Sequence, residues 1–229
     1  NPITFTATGV AGSAGRLAMF TQPPGTFTSG GTLSPNPVVQ LQDLLGNPVS
    51  TSGVGITASI ASGPGGVLSG GLIGLTDGFG RASFPGLLIT GPTGSYTLQF
   101  NGASVTGVTS SAITITAGSA AKLVITAQPT TAQSGIAFTT APTVQVQDAA
   151  GNPVASAGRN ITVTVNSGTA ALTGTTTQAT NAGGLATFPG LILTGSVGSN
   201  ALLFATAGLA TDTTSAIALT PGAATALEY

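Results

Sequence analysis

The side chains that could take part in catalysis are few and far apart. The chain has no His and no Cys, and it has five acids, Asp43, Asp77, Asp148, Asp212 and Glu228. Acid–base and nucleophilic catalysis need titratable groups that are held close together. No combination of these acids with the four Lys and Arg residues has a recognisable catalytic spacing. The sequence therefore predicts a protein that is not an enzyme, with no catalytic residue and no cofactor.

Two of the acids, Asp43 and Asp148, could instead be metal ligands. Each stands alone before a Gly-Asn-Pro turn, where an Asp side chain commonly bonds to nearby backbone. Calcium takes roughly six to eight oxygens, usually from several carboxylates, and the sequence has no Asp-x-Asp cluster. Asp77 precedes a Gly in a dipeptide that favours a tight hairpin, and its equivalent later in the chain is Asn181. We predict turn roles for these acids and no metal site.

Two further patterns suggest sites but have simpler explanations. Asn160 begins an Asn-Ile-Thr match to the N-glycosylation pattern, although three-residue matches arise often by chance in a Thr-rich chain. Phe84 and Phe188 each precede Pro-Gly and could form an exposed aromatic platform for a ligand. A single aromatic residue in an alternating strand is more often a core residue. We predict that both Phe side chains are buried.

Composition narrows the classes of partner. Charged residues make up 4% of the chain and the net charge is −1, whereas a typical soluble domain is about a quarter charged. There is no basic patch to bind nucleic acid or anionic lipid. The apolar runs are far shorter than the roughly 20 residues that span a bilayer. Hydrophobic residues make up 41% of the chain, which is enough to fill two domain cores.

The chain contains an internal repeat. The segment Gln40–Val49 recurs as Gln145–Val154, and Ala82–Leu87 recurs as Ala186–Leu191, with an offset of about 105 residues. This period is too long for a solenoid unit and matches a whole β-sandwich domain of about 100 residues. The sequence therefore predicts tandem domains, with the boundaries 1–12 for an extra strand and linker, 13–118 for repeat one, 119–222 for repeat two and 223–229 for a stub.

Within each repeat the segments read as strands. They are short, rich in Val, Ile and Thr, and alternate apolar with polar residues, as in Ile161–Val165. Gly, Pro, Asn and Asp clusters separate them, and no segment has helical periodicity or a helix cap. The predicted class is all-β. The strands expected in repeat two are Leu123–Thr126, Thr143–Gln147, Ile161–Val165, Gly184–Phe188, Asn200–Thr206 and Ala216–Leu219.

Four motifs together resemble bacterial immunoglobulin-like repeats. They are the leading Lys122–Thr126, the central Val146–Val154, the strand Gly184–Phe188 and the closing Ala112–Gly118. Such repeats occur in invasin- and intimin-like adhesins and in other large cell-surface proteins. The resemblance covers nearly the whole chain in two copies. It implies two tandem immunoglobulin-like β-sandwiches, export to the cell surface, and a spacer or adhesive role.

The first residues of the chain form a further candidate strand. Ile3–Ala7 resembles the closing segment Ile113–Ala117. Two explanations remain open: the chain is a slightly wide piece of a longer adhesin, or the segment pairs with a neighbouring subunit. Sheet edges are normally guarded by charges, Pro or bulges, and charge is almost absent here. The candidate subunit-contact strand consists of Pro2, Ile3, Thr4, Phe5, Thr6 and Ala7.

These observations favour an extracellular structural role. The leading expectation is a self-assembling subunit of a cell-surface filament or layer, with copies of itself as partners. The alternative is a spacer in a large bacterial adhesin, with neighbouring repeats, a host or surface receptor, or a glycan as partners. A carbohydrate-binding accessory module is a lesser alternative, because the chain has no Trp and only two Tyr residues.

Overall fold

The computed structural model of the protein describes Ile3 and residues 9–222, and within these residues it contains strands and no helix. The chain divides into two units, Asn1–Thr116 and Ala117–Tyr229. The all-β class predicted from the alternating segments is confirmed. The structure of residues 1–2, 4–8 and 223–229 lies outside this description, and with it most of the predicted subunit-contact strand.

Among its described residues the first unit has eleven strands. In chain order they are β1 (Arg16–Thr21), β2 (Thr26–Thr28), β3 (Val38–Gln42), β4 (Gly55–Ser62), β5 (Val67–Ser69), β6 (Ile73–Leu75), β7 (Arg81–Ser83), β8 (Leu88–Thr90), β9 (Gly94–Gly102), β10 (Val105–Thr109) and β11 (Ile113–Thr116). One layer has the order β1-β3-β7, and the other has the order β2-β11-β9-β4-β6. Strand β10 pairs with both β9 and β1 and so joins the layers, while β5 and β8 form a separate antiparallel pair.

The second unit repeats the two layers and the separate strand pair of the first. Its strands are β12 (Ala120–Ala127), β13 (Thr131–Gln133), β14 (Thr143–Asp148), β15 (Asn160–Ser167), β16 (Ala171–Thr173), β17 (Thr177–Ala179), β18 (Leu185–Thr187), β19 (Ile192–Thr194), β20 (Gly198–Ala205), β21 (Asp212–Thr213) and β22 (Ile217–Thr220). One layer is β12-β14-β18, the other is β13-β22-β20-β15-β17, and β16 pairs with β19.

The strands form where apolar and polar residues alternate, because successive side chains point to opposite faces of a sheet. In β11, Ile113 and Ile115 are buried while Thr114 and Thr116 are exposed, and β22 has the same pattern. All six strands predicted for repeat two are present, as β12, β14, β15, β18, β20 and β22. The five that were not predicted are two or three residues long, which is too short for alternation to show.

One glycine of the repeated motif permits a close backbone approach. Gly80 precedes β7 with φ of 70°, and a Cβ atom there would lie 1.9 Å from the carbonyl oxygen of Val49. Gly184 has φ of 78° and the same relation to Val154, at 2.1 Å. Only glycine has both the left-handed conformation and the space at this position. The recurring Gly-x-Ala-(Ser/Thr)-Phe sequence is thus a requirement of the fold.

A pair of aromatic rings occupies the core of each unit. Phe84 and Phe100 have ring centroids 4.8 Å apart, and Phe188 and Phe204 have centroids 5.1 Å apart. All four side chains are fully buried, and offset or edge contacts at this distance are favourable. The prediction that Phe84 and Phe188 are core residues is confirmed.

Tyr96 closes one corner of the first sandwich. Its buried ring lies near the start of β9, and its hydroxyl is within hydrogen-bonding distance of the Gly65 carbonyl and 2.9 Å from that of Pro92. A tyrosine that bonds to backbone a few residues upstream is typical of immunoglobulin-like sandwiches. In the second unit the equivalent residue is Asn200, which accepts a hydrogen bond from the Ala170 N–H at 3.2 Å. The two units therefore hold this corner with different side chains.

Replacing Phe84 by Ala should strongly destabilise the first unit. The change leaves a cavity beside Phe100, so we expect the free energy of unfolding to fall by about 3–5 kcal/mol. Urea titration followed by tyrosine fluorescence measures this, because Tyr96 lies in the same core. The control is Phe79→Ala, at a side chain that is 70% exposed, where we expect a change within about 0.5 kcal/mol. Equal losses in the two variants would contradict the assignment.

Candidate functional site

Asp43 gathers four hydrogen-bond donors at the turn after β3. One carboxylate oxygen accepts the N–H groups of Leu45 at 3.0 Å and Asn47 at 2.8 Å. The other accepts the Asn47 side-chain amide at 2.9 Å and the N–H of Gly12 at 3.0 Å. The last bond spans 31 residues and ties the turn to the chain just before β1. Asp43 therefore organises its own turn and fixes where the first strand begins.

Asp148 makes the equivalent contacts in the second unit. It accepts the backbone N–H and the side-chain amide of Asn152, both at 2.8 Å, and the N–H of Gly118 at 2.8 Å. Gly118 lies just before β12, as Gly12 lies before β1. The turn roles predicted for both acids agree with these bonds. The repeated Asp-x-x-Gly-Asn motif is thus a carboxylate clamp on the start of each sandwich.

The clamp changes the acidity of both carboxyl groups. The hydrogen bond from the Asn47 side chain, followed by that from Gly12, lowers the pKa of Asp43 from 3.8 to about 2. Burial alone raises the pKa of Asp148, but the bonds from Asn152 and Gly118 outweigh it, and the pKa of Asp148 is lowered. Both groups are therefore held as carboxylates at neutral pH.

The remaining acids of the described residues also bond to backbone. Asp77 accepts the N–H groups of Phe79 at 2.8 Å and Arg81 at 2.9 Å. Asp212 accepts the N–H of Ile125 at 2.8 Å. Within residues 9–222 the structure brings no three of His, Cys, Asp and Glu together as a metal site. Each described acid thus has a local structural contact.

An aromatic–cation cluster on the first unit was not predicted. The guanidinium of Arg81 lies 3.7 Å from the ring centroid of Phe20 and 6.0 Å from that of Phe79. Its Nε donates to the Gln40 side chain at 3.0 Å. Both rings are more than half exposed. A difference between the two repeats could have revealed this cluster. The second unit has Thr, Leu and Gly at the positions of Phe20, Arg81 and Phe79.

The other candidate residues are not brought together. Asn160 is the first residue of β15 and is exposed, and its carbonyl accepts a hydrogen bond from the Thr206 hydroxyl at 2.8 Å. Ile3 is 80% exposed. Pro2 and the segment 4–7 lie outside the described residues. Among the described residues no helix is suited to crossing a membrane.

Comparison with known proteins supports the fold. A family model described as SMCHD1 Ig-like domain 6 matches residues 17–117. Because the second unit repeats the strand order of the first, we identify both units as immunoglobulin-like β-sandwiches. The predicted fold class and the resemblance to immunoglobulin-like repeats are confirmed. No curated protein matches the sequence.

Several solved structures are similar to this chain at low sequence identity. The adhesin InvE of Yersinia pseudotuberculosis is 19% identical, over 89% of this chain and 58% of that chain, with a TM-score of 0.34. Domains 4–9 of the surface layer protein SbsC are 16% identical, over 96% and 33% of the two chains, with a TM-score of 0.34. A β-glycosidase from Bacteroides vulgatus is 12% identical, over 90% and 25%, with a TM-score of 0.40. The chain thus spans less than two thirds of each of these proteins, and likenesses this distant say nothing about activity.

Acid should weaken the first unit through Asp43. A carboxylate whose pKa is lowered by folding stabilises the folded state fully above its unfolded pKa, and this contribution is lost as the pH falls through the folded pKa. With values of 3.8 and about 2, we expect the melting temperature to fall between about pH 4 and pH 2. Thermal denaturation monitored by circular dichroism at a series of pH values measures this.

Asp43→Asn should lower the melting temperature at neutral pH and flatten this acid transition. The Asn side chain has an NH₂ group in place of one carboxylate oxygen, and this group cannot accept the hydrogen bonds that the oxygen accepted. Asp77→Asn is the matched control, since the second unit has Asn181 at that position with the same bonds. If the Asp43→Asn variant is as stable as the Asp77→Asn variant and its acid transition is unchanged, the clamp contributes nothing to stability.

Proposed function

We propose that this chain is a non-catalytic building block of an extracellular structure, a subunit that associates with copies of itself into a cell-surface filament or layer. The observation that carries the proposal is the surface itself. Charged residues make up 4% of the chain, so the sheet edges have few of the charges that normally block edge-to-edge association. Such a surface suits packing against other copies.

The arrangement of the acids supports a role without catalysis. The four described acids, Asp43, Asp77, Asp148 and Asp212, each accept backbone N–H groups within their own unit. General acid–base chemistry needs a titratable group within reach of a substrate and of its partner group. These acids stabilise turns and strand starts instead.

The segment Pro2 to Ala7 is proposed as the contact that links copies. Ile3, Phe5 and Ala7 alternate with Thr4 and Thr6, which is the pattern of a strand with one apolar face. Each sandwich already has its closing strand, β11 or β22, in place. A donated strand would therefore add to a sheet edge and not fill a missing position.

The alternative function is a spacer in a large adhesin, in which neighbouring repeats replace self-association. The length of the native product separates the two: a spacer belongs to a chain with many more repeats, whereas a subunit is released as a short chain. In the spacer case, receptor or glycan binding would belong to other parts of the protein.

Deleting residues 2–7 should abolish assembly and leave folded monomers. Analytical ultracentrifugation over a range of protein concentrations measures assembly, and circular dichroism checks folding. Ile3→Thr with Phe5→Thr keeps the length but removes the apolar alternation, so we expect the same loss.

The matched control is Thr4→Ser with Thr6→Ser, which keeps the alternation and should assemble normally. Assembly that persists after the deletion would refute the role of this segment. A wild-type chain that stays monomeric at every concentration would refute the proposed self-association itself.

A further inference from the structure

The first unit exposes far more large apolar side chains than the second. Of the twelve that are exposed in the described residues, ten lie in the first unit and two, Ile136 and Val197, in the second. The two units share a strand order and a core design, so the fold itself does not require the difference. Four of the ten cluster within eight residues: Leu72, Ile73, Leu75 and Phe79.

Strand β6, at the centre of this cluster, is a free sheet edge. Its one neighbour among the described residues is β4. The N–H of Thr76 bonds to Val54 at 3.0 Å, and the carbonyl of Leu72 accepts from Ala58 at 2.8 Å. Because alternate residues of an antiparallel strand bond to opposite sides, the backbone groups of Ile73 and Leu75 point away from β4. They offer donors and acceptors to an added strand.

The side chains on this edge face outward. Gly74 is buried between them, and a Cβ atom there would lie 3.2 Å from the Phe84 ring, so that position faces the core. Ile73 and Leu75 are consequently 68% and 67% exposed. The strand contains no charge and no proline, the usual guards of an edge.

The second unit has the same edge with different side chains. In β17, the bonds of Thr176 to Val163 and of Thr180 to Arg159 repeat those of β6. The exposed residues there are Thr177 and Ala179. The backbone geometry is thus shared, and the apolar pair is specific to the first unit. The opposite edge of the first unit, β2, exposes Thr26 and Thr28 and is polar as well.

We infer that the β6 edge of one copy is the acceptor for residues 2–7 of a second copy, which add to it as an extra strand. The inference rests on the proposed self-association and names its contact surface. Ile3 and Phe5 alternate as Ile73 and Leu75 do, so an added strand places apolar side chains in cross-strand pairs on the outer face. Ile3 is 80% exposed in its own chain, which leaves it free for such a contact.

This contact joins two different surfaces, a donor segment and an acceptor edge. A contact of that kind is heterologous, and it produces an open chain of subunits when its rotation does not close a ring. With the β6 edge as acceptor and residues 2–7 as donor, each copy has two neighbours. Because the donor and the acceptor are different surfaces, and only the first sandwich has the apolar edge, the assembly has a direction.

Disulfide trapping tests the contact, because the chain has no cysteine of its own. A Phe5→Cys chain is mixed with a Leu75→Cys chain in the presence of oxidised glutathione. Paired strands bring Cα atoms to roughly 4.5–5.5 Å, within the range that a disulfide spans. Ile73→Cys serves as a second acceptor position, one pair further along the edge. The matched control is Ala179→Cys on the equivalent edge of the second unit.

We expect mixed dimers between the Phe5→Cys chain and an acceptor variant to form several-fold faster than with Ala179→Cys. Ile73→Thr with Leu75→Ala, which installs the residues of the second unit, should weaken assembly several-fold and leave the melting temperature unchanged. Equal trapping at both edges, or dominant Leu75→Cys homodimers from a two-fold pairing of β6, would overturn the assignment. If deletion of residues 2–7 abolishes assembly while trapping at β6 fails, self-association stands and the acceptor lies elsewhere.

Discussion

One carboxylate at the start of each sandwich constrains the structure around it. Asp43 and Asp148 each accept hydrogen bonds from their own turn and from a glycine that precedes the first strand. Hydrogen bonds to an ionised acceptor are roughly twice as strong as neutral ones, and this chain has few other charges. The clamp fixes the turn after the third strand and the point where the chain enters the fold. The pairing of β1 with β3, and of β12 with β14, begins at this point.

The sequence predicts the fold well where its signals are local and repeated. Alternation identifies β11, β14 and β15, and the Asp-x-x-Gly-Asn motif identifies the clamp turns. The three-residue strands are different, because their positions depend on what they pair with. Strand β6 reads Ile-Gly-Leu, which shows neither alternation of polarity nor β-branched enrichment. Its location follows from Gly74 against Phe84 and from pairing with β4, and both are tertiary contacts.

Comparison of the two repeats separates what the fold needs from what the surface does. The paired core rings, the clamp acids and the glycines before β7 and β18 recur in both units. Phe20, Ile73, Leu75 and Phe79 do not, and all four are exposed. The fold does not require residues that differ between its two copies. Where such residues face solvent, they are candidates for binding a partner. The four described acids all accept backbone N–H groups within these repeats.

In the proposed assembly the first sandwich has an apolar edge that binds another copy, while the second sandwich has the same edge without the apolar side chains. Electron microscopy of the assembled protein, at a resolution that separates strands, would show whether this edge is occupied. We expect fibres in which additional strand density lies beside Ile73–Leu75 and none lies beside Thr177–Ala179. Isolated single molecules, or an assembly in which the β6 edge is bare, would contradict it.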